Sequence, residues 1–183
     1  DEILLDTGAQ RLNLVGHSQG GIDGRAIISS GGYGTQIASL TTIAAPHYGT
    51  PLADLMHGLI DITLVGEFLV DAIGDVYGLL LGEGEQDVVG ATESMTQEYI
   101  IETFNPQNTD VEGVAYSSWA GHTCGFLEFT CQSEWEGEVV SPLLVNTYHA
   151  LQLLGYPDND GLVTLESAQW GEFLGEIPGD HLD

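Results

Sequence analysis

The chain contains no lysine, and its only strongly basic side chains are Arg11 and Arg25. Against these two stand 28 Asp and Glu residues, giving a formal net charge of −26. A surface of that sign repels phosphate backbones and anionic bilayers, which excludes nucleic-acid binding. Salt-adapted proteins use the same imbalance, with ions screening the self-repulsion. A protein of a saline habitat is the expectation, and an ordinary acidic secreted protein is the alternative. Unbroken apolar runs of membrane-spanning length are missing too. The stretch 55–81 is interrupted by Asp61, Glu67, Asp71 and Asp75, so no transmembrane segment is expected. Cysteine is scarce, with only Cys124 and Cys131. There is no Cys-x-x-Cys pair, and His122 is the one other ligand type nearby, which argues against zinc. A local disulfide formed in an oxidising compartment is the expectation, and a pair of buried thiols the alternative. The chain opens on Asp1-Glu2-Ile3, without an initiator Met or a signal peptide. It reads as a single truncated domain over 1–183, cut from a longer, secreted protein.

What is present suffices for a folded domain: 183 residues, 43% of them apolar, give room for a core and argue against disorder. Leu12-Asn13-Leu14-Val15 is a short apolar run that reads as a buried parallel strand. Residues 20–30 read as a helix, stopped by Gly31-Gly32. A second strand is predicted over 37–43, a helix over 96–104 ending before Pro106, and a third strand over 114–119. That alternation predicts an α/β fold, with a mostly parallel sheet flanked by crossover helices. Residues 55–81 form a separate case. Val65, Leu69, Ala72, Ile73, Val76 and Leu80 recur at helical spacing. Glu67, Asp71 and Asp75 share one face, where like charges are mildly unfavourable. Gly66, Gly74 and Gly78 each weaken a helix by up to about 1 kcal/mol relative to Ala. A mobile helical lid inserted at 55–81 is the expectation, and an amphipathic core helix the alternative.

Gly16-His17-Ser18-Gln19-Gly20 fits Gly-x-Ser-x-Gly and stands between the first strand and the first helix. That context is the nucleophile elbow of the α/β-hydrolase fold: a strained strand-to-helix turn that exposes the serine hydroxyl at the sheet's C-terminal edge. Small residues at Gly16 and Gly20 would let strand and helix pass closely. The N–H of Gln19 would face the developing oxyanion, aided by the helix N-terminus. Ser18 then needs a base, and the base an orienting carboxylate, in the chain order Ser, Asp/Glu, His. His181 is the one histidine after His149, and Asp160-Gly161 supplies an acid on a turn before it. Ser18, Asp160 and His181 are thus the candidate triad. A calcium loop of the EF-hand type fails for the run 158–161, because its first and twelfth positions would be Tyr156 and Ser167. His17 and His47 flank strand ends and read as structural; His57 falls in the lid; no rule places a carboxylate beside His122 or His149.

Several blocks, in order, resemble the bacterial true lipases of the Pseudomonas and Burkholderia type. They are Asn13-Leu14-Val15-Gly16-His17-Ser18-Gln19-Gly20-Gly21, Thr41-Thr42-Ile43-Ala44-Ala45-Pro46-His47-Tyr48-Gly49-Thr50, Val114-Ala115-Tyr116-Ser117-Ser118-Trp119-Ala120-Gly121, Asn159-Asp160-Gly161-Leu162-Val163 and His181-Leu182-Asp183. The resemblance implies a secreted triacylglycerol lipase acting on acylglycerols at a lipid–water interface, through an acyl-enzyme. It implies a structural Ca²⁺ site with Asp183 as one ligand and Asn146 at a second carboxylate position. It also implies a second oxyanion-hole donor upstream of Asp1, and the lipase-specific foldase that many relatives need is a possible partner. A short-chain esterase or other acyl hydrolase with the same triad is the runner-up, and an inactive lipid-binding fragment a third reading.

Overall fold

The computed structural model describes residues 2–59, 73, 76, 88–124 and 139–183. A short helix, α1 (Glu2–Thr7), leads into β1 (Leu12–His17) and then α2 (Gln19–Ile28). After β2 (Ile37–Ile43) come α3 (Pro51–Met56) and α4 (Val88–Glu93). A composite helical run follows: α5 (Gln97–Tyr99), a π-helical segment (Ile100–Phe104) and α6 (Asn105–Gln107). The chain continues through β3 (Ala115–His122), α7 (Val145–Leu153) and β4 (Glu172–Pro178). Among the described residues, four strands make one all-parallel sheet in the order β1-β2-β3-β4. The C-terminal ends of all four strands therefore lie along one edge.

The expected α/β fold is present, and β2 runs over the residues predicted for it. Three details differ. The helical run continues through Pro106 to Gln107, with the π-helical segment ending at Phe104, just before the proline. β4 was not predicted, because Gly175 (φ 135°) and the closing Pro178 break the alternation a strand shows in sequence. β1 was expected to be buried, yet among the described strands it lies at the edge of the sheet. Asn13, Val15 and His17 along it are exposed, Val15 by 71%.

The larger core packs Leu52 and Leu55 of α3 against Leu144, Tyr148 and Leu151, around Leu162 and Val163. Thr50 starts α3 by accepting the Leu52 amide, with Pro51 behind it. Its hydroxyl also donates to the Leu162 carbonyl at 2.7 Å, fastening α3 to the turn that holds Asp160. A second core of Ile28, Ile37 and Leu40 seats α2 on the sheet. Of the segment read as a lid, residues 55–59, Ile73 and Val76 are described. Ile73 and Val76 are buried in the larger core; Val65, Leu69, Ala72 and Leu80, and the acidic face of Glu67, Asp71 and Asp75, lie outside the described residues. Cys124 is disulfide-bonded, and Cys131 lies outside the described residues. Among the described residues, no helix is long and apolar enough to cross a membrane.

Candidate active site

Ser18 stands between the last residue of β1 and the first of α2, with φ 51° and ψ −131°. A non-glycine residue at positive φ is costly and persists only where its surroundings enforce it. Here the Ser18 amide donates to the Ile43 carbonyl at 2.9 Å, and the Ser18 carbonyl accepts the Gly21 amide at 3.0 Å. The turn is possible because neighbouring backbones nearly touch. A Cβ on Gly16 would lie 2.6 Å from the Gly20 carbonyl oxygen, and one on Gly21 would lie 2.6 Å from the Ala45 Cβ. Gly20, expected to serve close packing, has open space around it; Gly21 and Gly24 are the glycines on which helix and sheet meet. Gln19 opens α2, so its N–H belongs to the helix's first turn, where amides lack intrahelical partners.

Asp160 follows β3 in space, its Cβ pressed against Gly121, where an added methyl would lie 2.9 Å away. The carboxylate is 1% exposed. Its Oδ1 accepts the Leu162 and Val163 amides at 3.0 and 2.7 Å. Asn159, fully buried, builds the same turn: its side chain accepts the Gly161 amide and donates to the Tyr156 carbonyl. His181 follows β4, and its amide donates to the Asp160 carbonyl at 2.8 Å. Its neighbour Asp180 accepts the Ser141 amide at 2.7 Å and the Leu182 amide at 2.9 Å, which fixes the approach of the His181 turn.

These supports bring the three predicted side chains into one hydrogen-bonded line. His181 Nδ1 lies 2.7 Å from Asp160 Oδ2, and His181 Nε2 lies 2.8 Å from Ser18 Oγ. With an acceptor carboxylate at Nδ1, that nitrogen carries the proton, which leaves Nε2 able to accept from the hydroxyl. The His17 ring packs against His181, with centroids 4.8 Å apart and planes tilted by 44°. Burial, then the charge His181 can carry, holds the His17 imidazole below the usual histidine range. His17 thus belongs to the site, which the sequence reading missed.

The remaining histidines have partners of their own. His47 is fully buried. Its Nε2 lies 2.8 Å from Thr42 Oγ1, and its Nδ1 lies 3.4 Å from the Arg25 guanidinium. Arg25 can only donate, so Nδ1 accepts and Nε2–H donates to Thr42. Burial, reinforced by Arg25, lowers the His47 pKa to about 3. His122 pairs with Glu176 of β4 at 2.6 Å, a carboxylate supplied by the unpredicted strand. His57 meets Thr92, and His149 meets Gln152. Asn146 is exposed on the first turn of α7. Asp183 accepts the Asp180 amide through Oδ2 at 3.0 Å. Among the described residues, no three His, Cys, Asp or Glu side chains gather as a metal site.

No family model matches the chain. Among curated relatives, it is 28% identical to a triacylglycerol lipase of Burkholderia plantarii, over 77% of this chain and 41% of that protein. It is 29% identical to one of Vibrio cholerae, over 100% of this chain and 60% of that one. A lipase of Bacillus licheniformis in its mature form superposes with a TM-score of 0.63 at 20% identity, covering 98% of this chain and 62% of that one. The chain is thus similar to bacterial triacylglycerol lipases, and it shares the α/β-hydrolase fold. A metagenomic carboxyl esterase shares the fold, with a TM-score of 0.63 at 22% identity over 94% of this chain and 45% of that one. The chain spans less than two thirds of the length of each of these relatives.

Proposed function

We propose that this chain carries the catalytic triad of a serine-dependent carboxylic ester hydrolase, a triacylglycerol lipase in the whole protein. The hydrogen-bonded line Ser18–His181–Asp160 carries the reading. Ser18 Oγ attacks the ester carbonyl carbon as its proton passes to His181 Nε2. Asp160, already held by two amides, stabilises the imidazolium, and the Gln19 N–H faces the oxyanion. The tetrahedral intermediate collapses as the carbon–oxygen bond to the alcohol breaks, and His181 returns its proton to the leaving alkoxide. Water, activated by His181, attacks the acyl-enzyme in turn; the acid leaves and Ser18 regains its proton.

The finer points rest on the resemblance and the composition. They are acylglycerols at a lipid–water interface as substrate, secretion with a disulfide at Cys124, adaptation to salt, and a dedicated foldase. Calcium through Asp183 and Asn146 is proposed only for the whole protein. The described donors do not by themselves fit the ion, which takes about six to eight oxygens. Asn146 is neutral, and Asp183 already accepts an amide. No step above passes through a metal.

In the whole protein, Ser18→Ala, Asp160→Ala and His181→Ala should each lower hydrolysis of a soluble ester by orders of magnitude, on the order of 10⁴ or more for a triad member. Double variants should lose little beyond the worst single one. An organophosphonate should label Ser18 and block turnover. Near-parental turnover in Ser18→Ala, or labelling elsewhere, would sink the assignment.

A further inference from the structure

Two hydrogen bonds hold the His181 ring, and both lie at its edges: Asp160 at Nδ1 and Ser18 at Nε2. Bonds at two ring nitrogens fix the line between them but leave the ring free to rock about that line. Rocking swings the Nε2 lone pair out of the direction of Ser18 Oγ and weakens a bond that depends on angle. Restraint against it has to come from a contact on the ring itself. His17 supplies one, with ring centroids 4.8 Å apart and a 44° tilt. His17 is adjacent in sequence to Ser18, so the contact ties the base to the element that carries the nucleophile.

We propose that His17 is a positioning residue for the reaction: its ring backs the His181 ring and keeps Nε2 aimed at Ser18 Oγ. The proposal rests on the hydrolase reading above. His17 has to stay neutral for this, because the reaction places a positive charge on His181 and a second imidazolium beside it would oppose that charge. The groups that act on it are His181 from the turn after β4 and Asp160 from the turn after β3. Partial desolvation is the larger influence, although the residue as a whole is exposed, and it favours the neutral ring.

The test uses the whole protein with His17→Ala and His17→Phe, p-nitrophenyl acetate as substrate, and proton NMR of the low-field signal from the His181–Asp160 hydrogen bond in a Ser18→Ala background. In His17→Ala, kcat should fall about ten- to a hundred-fold, the scale of a 1 Å misplacement, with KM unchanged and the low-field signal broadened or lost. His17→Phe keeps a ring against His181 and should restore most of kcat and the signal. A folded His17→Ala with parental kcat and a sharp signal overturns the proposal. Where His17→Ala fails to fold, His17→Phe decides: a retained signal supports the role, and a lost one overturns it. If Ser18→Ala itself keeps its turnover, the hydrolase reading fails, and the signal still reports whether His17 holds His181.

Discussion

At the scale of single residues, the chemistry was legible where it depends on side-chain type in a fixed order. Ser18, Asp160 and His181, which the structure brings into one hydrogen-bonded line, could be picked out because a nucleophile, an acid and a base are expected in that order on this fold. The residues that aim them were not legible. Asn159, Gly121 and Asp180 act through backbone amides or through the absence of a Cβ, which no spacing rule encodes. His47 was correctly read as structural, and its burial yields a prediction. Unfolded His47 takes up a proton as pH falls through about 6.5, while the folded residue refuses it until about 3. Its contribution to stability is therefore complete above about 6.5. It declines as pH falls between those values, by at most about 1.4 kcal/mol per pH unit. The carboxyls of exposed Asp23 and buried Asp54, whose pKa values are raised, act with the opposite sign, so the comparison has to be made between variants. Urea unfolding at pH 7 and pH 5 should show a smaller loss on acidification for His47→Gln than for the parent; equal losses would mean that His47 is not kept neutral by the fold.

At the scale of elements, the pattern of apolar runs and glycine stops revealed β1, α2, β2 and β3; Leu12, Leu14, Ile28, Ile37, Leu40 and Tyr116 meet in the smaller core, whereas Val15 and Ile27 are exposed. It failed for β4, where exposed Phe173, Leu174 and Ile177 interleave with Glu172, Gly175 and Glu176. It also misjudged which elbow glycines matter, since the motif names Gly16 and Gly20, whereas the packing uses Gly16, Gly21 and Gly24. Three alanine variants separate the two accounts by thermal melting of the whole protein. Gly20→Ala should be neutral or stabilising, because Ala gains up to about 1 kcal/mol over Gly in a helix. Gly21→Ala should cost about 1–3 kcal/mol, as overpacking does. Gly16→Ala should cost at least as much, because its new methyl would meet backbone rather than a movable side chain. A Gly20→Ala variant as damaged as Gly16→Ala would show that the elbow packs as the motif suggests.

For the molecule as a whole, the charge of −26 sets the response to salt. Among the described residues, the ion pairs all involve histidine. Arg11 spends its guanidinium on the Ile37 and Gly113 carbonyls, and Arg25 on Asn105 and the Asn108 carbonyl. Ions that screen charge therefore have much repulsion to relieve and few strong attractions to weaken. The melting temperature of the whole protein should rise with NaCl into the molar range. A flat or falling curve would remove the salt-adapted reading.

The bond between His181 and Ser18 joins residues 163 positions apart. On a ribosome adding about 5–20 residues per second, the serine precedes its base by roughly ten to thirty seconds. During that interval the strained turn at Ser18 can form on β1 and α2, yet its hydroxyl has nothing to take its proton. On the proposed mechanism, a nascent chain lacks the base for Ser18 until the turn that follows β4 has emerged, so hydrolytic competence would arrive only then.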